Sequence, residues 1–170
     1  MSNNFVRAIG FTLPWEAGKD RSGNIRKDGG LNYLDGEVTK WGIFQTANPD
    51  LDVANLTIAD AFRIYKERYY DVYKKKATPL DLDTVSPDYA VAVFDTGVNC
   101  GVNRAYSWHL KAVKEKDPTK VLLGLRDAHY TNLKAIDQKQ YGRFYNGWIN
   151  RLNDLKKFVE ILKADSSAQA

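Results

Sequence analysis

A chain of 170 residues with 44% hydrophobic and 27% charged residues matches one globular domain with a sizeable core, and excludes a disordered or collagen-like polymer. The formal net charge of +4 favours encounter with polyanions, among them nucleic acid, anionic headgroups and bacterial wall polymers. Cys100 is the only cysteine and His109 and His129 the only histidines, so an internal disulfide, a structural zinc site and an HExxH peptidase site are excluded.

The opening MSNNFVRAIGFTLP lacks a basic n-region and a small-residue cleavage site, and no apolar run approaches the length of a membrane span. No signal peptide and no integral membrane segment are therefore expected, and synthesis is expected in the cytoplasm. Phe5, Ile9 and Leu13 recur at helical spacing, which predicts a helix from about Asn4 to Trp15, capped by Asn3 or Asn4 and ending near Gly18. The stretch DRSGNIRKDGGLNYLDGEVTKWGI is Gly-rich and polar between short Tyr, Leu and Val pieces, the pattern of short strands around a hairpin. Within it, DRSGNIRKD has oxygen ligands at alternate positions but lacks the glycine and closing Glu of a calcium loop, so no metal is expected.

Thr57 followed by Asp60 reads as a capping box. Ala61, Phe62, Tyr65, Tyr69, Val72 and Tyr73 then mark an apolar helical face down to Lys74. Ser86-Pro87 opens a strongly apolar helix that Gly101 ends. Further helices are predicted over about Arg104 to Lys116, stopped by Asp117-Pro118, then Leu125 to Ile136 and Tyr141 to Lys163, with Asp165 to Ala170 as a frayed tail. In the last helix Phe144, Trp148, Leu152, Leu155, Val159 and Leu162 form the inward stripe. The expected architecture is mainly α with a small β-hairpin element near the N-terminus.

One group of residues has the composition of a reacting site. Glu16 stands beside Trp15 at a helix end, and Asp35, Glu37 and Thr39 follow on the second half of the hairpin. Glycoside hydrolysis needs a carboxylic acid that protonates the leaving oxygen and a second polar or anionic group that handles water or the oxocarbenium-like transition state. Trp15 and Phe11 are expected to wall Glu16 off from water and raise its pKa, while Thr39 helps Asp35 hold a water. Glu37 is read as pointing to the opposite, solvated face. Asp95 and Asn99, on one face of the apolar helix, give either structural support or contacts to substrate. Trp108 and Trp148 are read as packing residues, and the two histidines are given no role.

Glu16, the Gly-rich stretch, Asp35-Gly36 and Thr39-Lys40-Trp41-Gly42-Ile43 resemble the N-terminal signature of the muramidases of glycoside hydrolase family 108, in which Glu-Gly-Gly precedes Asp-x-Gly-Gly-x-Thr-x-x-Gly-Ile. AFRIYKERYYD, VFDTGVNCG and YGRFYNGWINRL resemble later blocks of the family in the same order, the last ending in its Gly-Trp-x-x-Arg pattern. Ala17-Gly18 replaces Gly-Gly, and the loop to Asp35 carries extra polar residues including Asp28-Gly29-Gly30, so Asp28 competes with Asp35 as second carboxylate.

The resemblance implies a lysozyme-like helical domain over 1–170, with a catalytic part over 1–101 and a helical, peptidoglycan-binding part over 102–165. It implies an N-acetylmuramidase of phage endolysin type, with Glu16 as general acid, Asp35 and Thr39 assisting, and Trp15, Trp41 and Asn99 binding substrate. The expected partner is the peptidoglycan glycan strand, reached from the host cytoplasm through a separate holin, by a monomer without cofactor, metal or nucleic acid. A lytic transglycosylase using the same Glu, and a wall-binding or secretion-associated protein without chemistry, are the alternatives.

Overall fold

The computed structural model describes residues 3–34 and 36–168, and Asp35 lies outside the described residues. The architecture is mainly helical with one small antiparallel sheet near the N-terminus. Helix α1 spans Asn3–Ala17 and buries Phe5, Ala8, Ile9, Thr12, Leu13 and Ala17 along one stripe. It starts earlier than expected and Asn4 is no exposed cap: its buried amide donates to the carbonyls of Leu82 (2.9 Å) and Val85 (3.1 Å). Pro14 is accommodated inside the helix, where it forgoes the bond to the Gly10 carbonyl.

The polar stretch after α1 forms β1 (Asn32–Leu34), β2 (Glu37–Lys40) and β3 (Ile43–Phe44), in the order β1-β2-β3. A 3-10 turn at Val53–Asn55 leads into α2 (Ile58–Tyr65). The reciprocal capping box of Thr57 and Asp60 starts α2. The apolar face beyond Tyr65 does not continue as regular α-helix. A π-helical segment covers Lys66–Tyr70, and a 3-10 segment covers Asp71–Lys75. Tyr65, Tyr70 and Tyr73 nonetheless remain buried.

Helix α3 (Pro87–Cys100) is the hub, packed against α1, α4 (Val102–Ala112), α5 (Pro118–Ile136) and α6 (Gln138–Ala168). It is buried without a break from Asp88 to Gly97, which explains its apolar sequence on every face. Phe5 of α1 meets Phe94 of α3 and Tyr70 edge-on at centroid distances of 6.0 and 5.2 Å, locking the N-terminal helix to the hub.

Several helical boundaries differ from expectation, among them the start of α5, seven residues before the expected Leu125. Asp117-Pro118 does not stop α4, which ends at Ala112; it starts α5, where Asp117 accepts from the Lys120 amide (3.0 Å) and Pro118 takes the first turn. Helix α6 runs to Ala168, so residues 165–168 of the expected tail are helical. Leu152, Leu155, Val159 and Leu162 are its buried stripe, whereas Phe144 is exposed. Trp148 stacks on Tyr130 of α5 at 5.2 Å, and Trp108 meets the edge of His129 at 5.6 Å. No helix among the described residues is long and apolar enough to cross a membrane.

Candidate active site

Glu16 sits in the last turn of α1, and the β2–β3 turn is folded against it. Gly42 makes this approach possible. It has φ +73°, and a Cβ there would come within 2.7 Å of the Glu16 Cβ, 2.8 Å of the Tyr65 hydroxyl and 2.9 Å of Glu16 Oε2. The preceding Trp41 is also left-handed, at φ 56°. Three contacts hold it there. The Tyr65 hydroxyl donates to its carbonyl (2.9 Å), its amide donates to the Gly29 carbonyl (2.6 Å) and its indole N–H donates to the Leu56 carbonyl (3.1 Å).

From the other side Glu16 meets α6. Arg151 Nη1 donates to Glu16 Oε1 at 2.6 Å, while its Nη2 donates to Asp95 Oδ1 at 2.7 Å and its Nε lies 3.2 and 3.3 Å from the two Asp95 oxygens. Asp95, fully buried on α3, also accepts from the Thr12 hydroxyl (2.9 Å) and Arg126 Nη1 (2.7 Å). Arg126, also fully buried, donates from Nε to the Tyr130 hydroxyl (2.7 Å), which in turn donates to Asn99 Oδ1. The result is a polar chain across four helices, with two carboxylates matched to two guanidiniums.

Burial acts against each charge in this chain, and the partners outweigh it. Burial would push the Asp95 carboxyl up, but Arg151 and Arg126 hold it down at about 2. Both guanidiniums are likewise raised despite burial, Arg151 by Asp95 and Glu16, and Arg126 chiefly by Asp95. Burial and then the charge of Glu16 raise the phenols of Tyr65 and Tyr69. Exposure grades along the chain: Asp95 is 0% exposed, Arg151 6% and Glu16 21%. Glu16 is thus a solvent-facing end of a network whose centre, Asp95 and Arg126, is fully buried.

The other sequence candidates fall in different surroundings. Thr39 lies in β2 between Asn32 and Phe44 and is half-buried. Glu37 shares its face, since residues two apart in a strand point the same way, and this corrects the expectation of opposite faces. The Glu37 carboxylate accepts from both the amide (3.1 Å) and the hydroxyl of Thr46. Asp28 is held by Arg26 at 2.6 Å and by the Gly30 amide at 3.0 Å, and the Arg26 hydrogen bond, followed by that of Gly30, lowers its pKa.

Trp15 and Phe11 do not wall Glu16 as expected. They line a separate cleft of about 320 Å³ with Pro14, Lys19 and Phe158, and Phe11 stacks on Phe158 at 5.4 Å. Adjacent helical residues point about 100° apart, so the neighbour of Glu16 in sequence is not its neighbour in space. Trp41 is 5% exposed, its ring lying on Gly29, so it anchors the turn and offers no open platform to a sugar. Asn99 supports Tyr130 inside the polar chain.

Arg151 and Arg126 were missed in the sequence. Arg151 closes the quoted Gly-Trp-x-x-Arg block, and a carboxylate at position 95 inside so apolar a helix required a distant cation. A cavity of about 980 Å³, bordered by Tyr89, His109 and Pro118, opens beside the N-terminal end of α3 and includes none of these groups. His109 is buried there, its Nδ1 2.9 Å from the Tyr89 hydroxyl, and burial lowers its pKa.

No curated protein and no solved structure matches the chain. The family model of Glycosyl hydrolase 108 matches residues 9–101, more than half of the 170 residues, and takes in Glu16, Thr39, Gly42 and Asp95. With the match spanning both the helix end and the turn that meet at Glu16, the chain belongs to the Glycosyl hydrolase 108 family, a lysozyme- and muramidase-like family of glycosidases.

Proposed function

We propose that the protein is an N-acetylmuramidase that cleaves the peptidoglycan glycan between N-acetylmuramic acid and N-acetylglucosamine, with Glu16 as general acid. The observation that carries this reading is the asymmetry of the Glu16 carboxylate. Oε1 accepts from Arg151, while Oε2 lies toward Gly42, and the side chain as a whole is partly exposed. Oε2 is therefore the oxygen placed to deliver a proton to the glycosidic oxygen as the bond to the departing sugar breaks.

Charge counting gives Arg151 its part in the reaction. With Glu16 protonated, Asp95, Arg126 and Arg151 sum to +1; once the proton has left, the cluster sums to zero. The Arg151 contact thus strengthens as charge develops on Glu16, and an interaction that grows toward the transition state lowers the barrier. Asp95 keeps the guanidinium in place throughout. Asp35 and Thr39 are assigned to the attacking water, and the net charge of +4 supports encounter with the anionic wall. We extend the proposal to a monomeric phage endolysin, made in the host cytoplasm and admitted to the wall by a holin.

The test is digestion of purified sacculi by the wild type and Glu16→Gln, read as new reducing ends and by mass spectrometry of the products. Hydrolysed glycan from the wild type and none from the variant is expected. Unchanged activity in Glu16→Gln, or release of free amines, would overturn the proposal. Anhydro ends, lighter by one water, would reassign the reaction to a lytic transglycosylase, and sedimentation with sacculi without any cleavage would reassign the protein to wall binding.

A further inference from the structure

The register of the sheet sorts its side chains into two faces. Thr39 pairs with Asn32 on one side and with Phe44 on the other, so these three side chains stand in one row across the strands. The opposite face carries Val38, Lys40 and Ile43. Ile43 is buried, Val38 packs against the core, and Lys40 donates to the Ala54 carbonyl at 2.9 Å. That face is committed to the fold.

The face bearing Thr39 is not. Phe44 is 50% exposed and is not among the rings packed against the core; its carbonyl accepts from Asn48 Nδ2 at 2.7 Å. Exposure by itself assigns the ring no role, and a second observation is needed. Its position supplies one, for it lies two residues beyond Gly42, which touches Glu16, a distance of about 7 Å along an extended chain.

We infer that the row Asn32, Thr39 and Phe44 is a saccharide subsite that holds one N-acetylated sugar of the glycan beside the cleaved bond. Phe44 stacks on the apolar face of the ring and the Asn32 amide hydrogen-bonds to its rim, while Thr39 between them keeps its hydroxyl for the attacking water. A sugar presents this combination, a flat C–H face bordered by hydroxyl and acetamido groups, and aromatic surface with a few placed polar groups is what binds such a ligand. The row itself is uncharged, and Glu37 beside it is already engaged by Thr46, which suits a neutral ring. The inference rests on the reading of Glu16 as the acid of a glycan hydrolase and names substrate contacts for that same site.

The test compares Phe44→Ala and Phe44→Trp, in the wild type for kinetics on solubilised glycan strands and in Glu16→Gln for sedimentation with sacculi. The ring contacts substrate and transition state alike, so Phe44→Ala is expected to raise KM roughly fivefold to tenfold with kcat changed by less than about twofold. Binding of the inactive double variant should weaken by the same factor, Phe44→Trp should restore both, and the Tm should stay put because the ring is half-exposed. Unchanged KM and binding in Phe44→Ala would overturn the subsite. So would self-association of the wild type that Phe44→Ala abolishes, since a second copy would then be the occupant. A dead Glu16→Gln beside a wild-type-like Phe44→Ala defeats this inference alone, whereas an active Glu16→Gln defeats the reading beneath it.

Discussion

Replacing Arg151 with Met tests the buried network directly, because it removes one guanidinium and keeps most of the side-chain length. Arg151 has three contacts with Asp95 at 2.7–3.3 Å and one with Glu16 at 2.6 Å. Without it, Asp95 retains Arg126 and Thr12, but the buried cluster carries an unbalanced negative charge. Removing one partner of a buried pair costs about 3–5 kcal/mol. Against a total stability of about 5–15 kcal/mol this is a large share, and at about 2–4 °C per kcal/mol it lowers the Tm by roughly 6–20 °C. Activity measured below the unfolding transition should fall about a hundredfold in kcat, since Glu16 loses the group that orients it. Glu16→Gln is the control: Arg151 keeps its three contacts with Asp95 and the lost contact lies at the partly exposed end, so the cost should be clearly smaller than for Arg151→Met. Denaturant unfolding followed by tryptophan fluorescence gives both free energies, and thermal unfolding gives the Tm. A Tm for Arg151→Met within about 2 °C of wild type, or equal destabilisation by Glu16→Gln, would refute the reasoning.

Gly42→Ala should lower kcat about tenfold or more, because its methyl would lie 2.7–2.9 Å from Glu16 and Tyr65 and must displace the carboxylate. Gly23→Ala, at a similar φ of +81° but with open space around it, should show only the backbone strain of about 1–2 kcal/mol and full activity. Acid should destabilise the protein over a defined window. The Asp95 pKa is lower folded than its ordinary value of 3.8, so its stabilisation is complete above pH 4 and is lost as pH falls toward about 2. The difference, at 1.36 kcal/mol per pH unit, is about 2 kcal/mol, and urea midpoints measured from pH 5 to pH 2 should lose this contribution in the wild type and lack it in Asp95→Asn.

The parts of the fold that were legible in the sequence are those set by local chemistry. Thr57 with Asp60, Pro87 after Ser86, and Gly101 at φ +90° each act within a turn of themselves, and each marks a helix end where expected. Asp117-Pro118 is equally local but ambiguous, since the pair ends one helix or starts the next, and the Lys120 amide decides for the start. The π-helical segment at Lys66–Tyr70 left no mark because its apolar spacing fits an α-helix equally well. In the candidate site, Glu16 and the turn that meets it were readable from residue types and order. Its true neighbour was not, because Arg151 lies 135 residues from Glu16 and 56 from Asp95, and no periodicity reports such a contact.

This distance bears on how the chain is divided. The family match ends at residue 101, and the helices beyond it were assigned from resemblance to holding the wall polymer. Yet Asp95, fully buried and ionised inside the matched segment, has both of its cations, Arg126 and Arg151, outside it. An isolated carboxylate at that depth is untenable without them. Helices α5 and α6 therefore complete the electrostatics of the segment that carries Glu16, whatever else their surfaces bind. The same two arginines explain why a carboxylate stands in the middle of α3 at all. It fixes the guanidinium that faces Glu16, and a hydrophobic residue at 95 would pack there but would leave Arg151 with no anchor from which to hold the acid.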